Sequence, residues 1–149
     1  MTEIPLPDPN STPMRGLILP LLLRDEIRSH IIQALPEEAC GIAAGRDNLV
    51  NLVIPITNQL HSPVRFHMEP NEQLQAFEKI DENGLELLAI YHSHPMGLDQ
   101  PSSTDIAEAY YPDAIYLIWF PDPIDWNCRG FMIQEGDFHE VPIRLTHQE

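Results

Sequence analysis

At 149 residues, 43% of them hydrophobic, the chain has enough apolar material for one core and too little for two. Twenty-three acids against eight bases leave a formal charge of -15, and Lys79 is the single lysine, which disfavours a surface that tracks nucleic-acid phosphates. Two cysteines without CxxC spacing argue against a disulfide scaffold, and no apolar run reaches the roughly 18 residues of a membrane span or follows the basic start of a signal peptide, so a reducing cytosol is expected.

Met1 to Met14 is rich in Pro, Asp, Asn, Ser and Thr and lacks periodicity; residues 1–14 read as a flexible arm and 15–149 as a single domain. Between Leu22 and Leu35, the residues Leu23, Ile27, Ile31 and Ala34 recur at helical spacing, and Pro36 ends the pattern. Ala39–Ala44 and Leu49–Ile56 flank the turn cluster Gly45-Arg46-Asp47-Asn48 and read as a strand hairpin. Arg65–Met68 reads as a short strand. Pro70–Asn83 reads as a helix, with Pro at its start, Leu74, Phe77 and Ile80 on one face and Gly84 as its stop. It feeds the apolar run Leu85–Tyr91. Ser102 or Ser103 caps a further helix that carries Asp105 in its first turn. Ile115–Phe120, Asn127–Ile133 and Phe138–Ile143 complete the strands, with Pro121-Asp122-Pro123 a loop.

The chemistry concentrates after Tyr91. His92-Ser93-His94-Pro95, a loop, and then Ser102-Ser103-Thr104-Asp105 place three metal-ligand side chains within fourteen residues. Strand side chains alternate faces, so His92 and His94 project together. Structural zinc sites close with four protein ligands, whereas catalytic ones keep a position for water; two His plus Asp105 fit the second kind. Zinc lowers the pKa of that water to about 7, but moving protons still asks for a carboxylate. Pro36-Glu37-Glu38-Ala39-Cys40-Gly41, at the entry to the hairpin, offers Glu38, with Glu37 as the alternative.

Each residue also has a plainer reading. A His-x-His pair alone is commonly a surface feature of a strand, and Ser102 alone a helix cap. Cys40, beside Gly41 in an apolar strand, reads as a small buried side chain rather than a nucleophile. His30, His61, His67, His139 and His147 lack ligand spacing and read as surface or hydrogen-bonded core residues, and Trp119 and Trp126 as core or loop-anchoring aromatics.

Taken together, Glu38, His92-x-His94, seven residues, Ser102, two residues and Asp105 resemble the signature of the JAMM (MPN-plus) zinc metalloprotease family at all five positions. The resemblance covers roughly residues 17 to 144. It implies that His92, His94 and Asp105 hold one Zn2+ per chain, that Glu38 orients and deprotonates the zinc water, and that Ser102 stabilises the tetrahedral oxyanion. It also implies an α/β (α+β) sandwich of the JAMM/MPN, cytidine-deaminase-like type: a mixed, largely antiparallel curved sheet flanked by helices. Within the family the chain is similar to the short stand-alone prokaryotic members that cleave after the C-terminal tail of ubiquitin-like sulfur carriers. The implied partner is then a β-grasp protein whose Gly-Gly tail lies as an added strand beside the zinc. No nucleic acid or membrane is implied, and the cytoplasm is the expected location. The competing expectation is a non-catalytic or autoinhibited scaffold of the same fold, which binds a partner or tail without cutting it.

Overall fold

The computed structural model describes residues 16–147, so the arm expected at 1–14 lies outside the described residues. In chain order the elements are β1 (Leu17–Pro20), α1 (Leu21–Ala34), β2 (Cys40–Arg46), β3 (Leu49–Ile56), α2 (Pro70–Glu82), β4 (Glu86–Ser93), α3 (Ser103–Ala107), β5 (Ile115–Pro121), β6 (Trp126–Gln134), β7 (Asp137–Val141) and β8 (Ile143–Thr146). Among the described residues no helix is long and apolar enough to cross a membrane.

The strands form one mixed sheet in the order β7-β6-β5-β4-β2-β3-β1-β8. Its pairings are antiparallel except β1 with β3, β1 with β8 and β4 with β5. Only Pro142 separates β7 from β8, yet these strands end the sheet on opposite sides, so the sheet must curl until its edges meet. Gly130 in β6 permits that approach: a Cβ there would stand 2.5 Å from the Ile143 side chain of β8. The fold is thus the mixed, curved sheet flanked by helices that the resemblance implies.

The central strands are covered on both faces. Period-two alternation sends Ala43, Ala89, Tyr91, Leu117 and Trp119 into one core with Ile27 and Ile31 of α1. It sends Cys40, Ile42, Ile90 and Ile118 into a second core with Ala76 and Ile80 of α2. The Tyr91 ring lies across β2, where a Cβ on Gly41 would meet it at 2.3 Å, so glycine is required at that point.

Two expectations need correction, and one strand carried no expectation. Leu17–Pro20 is a strand, stabilised by parallel partners on β3 and β8 that no local pattern announces. Phe138–Ile143 is two strands rather than one, because Pro142 cannot donate to a ladder and its carbonyl instead accepts from Leu17 N–H at 3.0 Å. Arg65–Met68 is a loop whose ladder pairing is limited to one isolated bridge between Asn58 and Met68.

Candidate metal centre

The strand register assembles the site. In the antiparallel β2–β4 pair Cys40 faces His92 and Gly41 faces Tyr91, so Glu38, two residues before Cys40, stands level with His94, two residues beyond His92. Ser93 secures that extension: its Oγ accepts from Ala39 N–H at 2.8 Å, and its N–H donates to the Ala39 carbonyl at 3.0 Å. His94 N–H donates to the Trp119 carbonyl at 2.7 Å, continuing the β4–β5 pairing past the strand end. His92 and His94 therefore share one face, with ring centroids 4.7 Å apart.

Asp105 arrives from α3. Ser102 is its N-cap: Asp105 N–H donates to Ser102 Oγ at 3.0 Å, and Ser102 N–H donates to Asp105 Oδ2 at 2.9 Å. This reciprocal capping box presents Oδ2 to both imidazoles. His92 Nε2, His94 Nε2 and Asp105 Oδ2 form a nearly equilateral triangle with sides of 3.0, 3.0 and 3.1 Å. Metal–ligand bonds of about 2.0–2.2 Å suit donors this close.

The donor set fits a cation. His94 Nδ1 lies 2.7 Å from the Leu98 carbonyl, which only accepts, so Nδ1 carries a proton and the neutral ring turns its Nε2 lone pair toward the carboxylate. His92 is fully buried, and burial lowers its pKa and keeps it neutral despite the nearby Asp105 carboxylate. Burial would raise the pKa of Asp105, but the adjacent His92 and His94 outweigh it and hold the carboxyl well below the usual carboxylate range. For His94 burial works against protonation, and the Asp105 carboxylate reverses the balance so that the pKa rises. A divalent metal requires these donors in their deprotonated forms, and on binding it would displace the proton that Asp105 favours on His94.

Glu38 stands close to this triangle. It offers a carboxylate oxygen to a group with His92 and His94 in which the three atoms lie within 4.8 Å of one another. Asp105 approaches both imidazoles more closely than that, so His92, His94 and Asp105 are the more compact group that could hold a metal, with Glu38 a step further out. Glu38 is 4% exposed, and its Oε1 has no hydrogen-bond partner among the described residues. Desolvation pushes its pKa up to about 8, opposed by His94 and reinforced by Asp105. A carboxyl titrating near neutrality is suited to exchanging protons with a reacting group.

A cavity of about 170 Å³ opens beside His92 and Asp105, walled by Phe66, Met68, Ile90, Tyr111 and Tyr116. The Phe66 ring stacks on His92 at 4.5 Å. On its rim Arg65 pairs with Glu108 at 2.9 Å. The other residues weighed from the sequence lie elsewhere. Cys40 is buried, its thiol pushed up to about 12 by desolvation, and it donates to the Ile56 carbonyl. His30 meets Tyr91 Oη at 2.6 Å, Glu37 pairs with exposed His61, and His139 and His147 are exposed; His67 lines the cavity. Trp119 is core, and Trp126 packs against that core. Phe66, Asn58 and the Leu98 carbonyl escaped the sequence reading, since a loop residue that serves by position carries no periodic signal.

Residues 21–129 match the family model described as prokaryotic homologs of the JAB domain. The chain is 40% identical over 124 residues to the "Probable TtuB-protein conjugate cleaving protease" of Thermus thermophilus, covering 81% of this chain and 80% of that one. It is 30% identical over 141 residues to the "CysO-cysteine peptidase" of Mycobacterium tuberculosis, covering 90% and 97%. Among solved structures, a Desulfitobacterium hafniense protein superposes with a TM-score of 0.81 at 35% identity, covering 89% of this chain and 94% of that one. A JAB1/MPN domain protein from Archaeoglobus fulgidus shares the fold, with a TM-score of 0.57 at 17% identity, covering 88% and 98%.

Proposed function

Because the chain belongs to the JAB-domain (JAMM, MPN-plus) family in its prokaryotic form, we propose that it is a zinc-dependent peptidase. It hydrolyses the peptide or isopeptide bond that follows the C-terminal tail of a ubiquitin-like sulfur-carrier protein. The relatives named for cleaving TtuB-protein conjugates and CysO-cysteine support that substrate class. The observation that carries the reading is the 3.0–3.1 Å triangle of His92, His94 and Asp105 with the Glu38 carboxyl close by, its Oε1 unpartnered among the described residues. In this reading the triangle is the donor set, Glu38 the base and Ser102 the oxyanion donor.

Zinc, when bound, supplies a Lewis acid that polarises a carbonyl and acidifies water to a pKa of about 7. Glu38 takes a proton from the attacking water and passes it to the leaving amine. Burial raises the pKa of the metal-free carboxyl to about 8, and a bound cation would draw it back down, toward the range in which a carboxylate can take up and release a proton. Ser102 Oγ accepts from Asp105 N–H, which leaves its own hydroxyl proton to donate to the carbonyl oxygen as charge develops there. His94 is held in one tautomer by Leu98, and His92 is held in place by the Phe66 ring stacked on it. An unbroken donor set weighs against the scaffold reading. A cytoplasmic location suits two free cysteines.

The test is zinc content together with cleavage of a β-grasp sulfur carrier extended past its Gly-Gly tail. Wild type should hold about one zinc and cut; chelated enzyme should not cut, and Glu38→Gln should keep its zinc yet fail. A wild type that binds no zinc would overturn the metal assignment. One that binds zinc and cuts nothing would favour a scaffold.

A further inference from the structure

Nothing holds the Glu38 carboxyl by its Oε1 atom, so its aim depends on the backbone that carries it. That backbone is held from two sides. On one side Ser93 brackets Ala39 with two hydrogen bonds. On the other, the Ser62 carbonyl accepts from Glu38 N–H at 2.8 Å, and Asn58 Nδ2 donates to the Glu38 carbonyl at 3.0 Å.

Asn58 is 5% exposed, and its amide is used to capacity. Nδ2 also donates to the Arg65 carbonyl at 3.0 Å and, at 3.4 Å, to that of Ser62. Oδ1 accepts from Leu60 N–H and His67 N–H, both at 3.1 Å. A side-chain amide has two N–H donors and two acceptor lone pairs, so these contacts leave nothing spare. Arg65 and His67 flank Phe66, the residue stacked on His92. One side chain therefore ties the Glu38 peptide to the aromatic wall of the cavity.

We propose that Asn58 is the positioning residue of this site, fixing the Glu38 peptide and the Phe66 wall as one unit in register with His92 and His94. The proposal rests on the peptidase reading for its catalytic consequence and on the hydrogen-bond geometry for its structural one. Asn58→Asp keeps the shape and the acceptor but removes the donors, setting an oxygen against the carbonyls of Glu38 and Arg65. Buried polar groups stripped of partners are strongly disfavoured, so both segments must shift. Asn58→Ser removes most of the amide and leaves room for solvent, so it probes the same tie without added charge.

The experiment compares wild type, Asn58→Asp, Asn58→Ser and, as a stability control in the α1 core, Ile27→Val. Zinc content, thermal unfolding, amide hydrogen exchange and cleavage of the extended β-grasp carrier are measured on each. Both Asn58 variants should keep about one zinc per chain while kcat falls roughly ten- to hundredfold, as displacement of a reacting group by about 1 Å produces. Exchange at the Glu38 amide should accelerate by more than about tenfold, with that of His92 unchanged. Ile27→Val removes one methylene from the α1 face of the core and touches none of the Asn58 hydrogen bonds, so it should hold kcat within about twofold. Wild-type kcat in both Asn58 variants, or unchanged exchange at Glu38, overturns the proposal. If Asn58→Asp does not fold, Asn58→Ser decides it. If wild type cleaves no conjugate, the peptidase reading falls, and exchange at Glu38 still decides whether Asn58 holds that segment.

Discussion

Replacing Glu38 by Gln in metal-free protein isolates the cost of burying the carboxylate. Burial moves the Glu38 pKa from 4.5 to about 8, and the residue is 4% exposed, so solvent screening removes little of the effect. At 1.36 kcal/mol per pH unit this corresponds to about 5 kcal/mol. Folding raises the pKa, so the folded protein binds the proton more tightly than the unfolded chain. The stability this confers is complete below about pH 4.5 and is lost as the pH rises to about 8. Gln mimics the protonated acid and has no such loss. Urea unfolding of chelated wild type and Glu38→Gln at about pH 5 and about pH 8.5 should therefore show the variant gaining about 4 kcal/mol on wild type across that interval. Taking the difference between the proteins cancels the titrations of His92, His94 and Asp105 to first order. Zinc added back to wild type should shrink the effect, because a nearby cation favours the carboxylate. Parallel stability curves for the two chelated proteins would refute the burial argument and, with it, the physical basis for Glu38 as a base working near neutral pH.

Ser102→Ala should lose about 1 kcal/mol of stability with the α3 cap, and kcat should fall roughly 10²- to 10³-fold with zinc retained; an unchanged kcat would leave Ser102 as a cap alone. Asp105→Asn removes the anionic donor, so competition with a chelator should show zinc affinity falling beyond the roughly 10- to 100-fold typical of residues one step removed. Arg129 donates to the Asp99 carbonyl and carboxylate while pairing with Glu140, and so tethers the loop whose Leu98 carbonyl orients His94. Arg129→Ala should accordingly weaken zinc binding by up to about tenfold in the same assay. Gly41→Ala drives a methyl into the Tyr91 ring and should cost about 1–3 kcal/mol or more in urea unfolding.

What the sequence determined by itself was local or motif-borne. Pro70 at a helix start and Gly84 past its end set the limits of α2, and a turn cluster joined β2 to β3. The spacing from His92 to Asp105 was legible because strand alternation and a capped helical turn are short-range rules. Glu38 and Glu37 were both legible as acids at the entry to the hairpin, and the family motif favoured Glu38. In the structure the β2–β4 register sets residue 38 beside residue 94, whereas Glu37 pairs with His61.

Tertiary structure decided what depends on distant partners. Leu17–Pro20 becomes a strand only because β3 and β8 lie on either side of it, and Pro142 divides two strands whose neighbours stand on opposite sheet edges. Neither fact is contained in the segment itself, since a lone strand has no intrinsic stability and gains it from the ladder and core it joins. Asn58 illustrates the same limit at the site. Its five hydrogen-bond partners are spread from Glu38 to His67, so an asparagine in an aperiodic loop acquires its role only when the curled sheet brings those segments within reach of one amide.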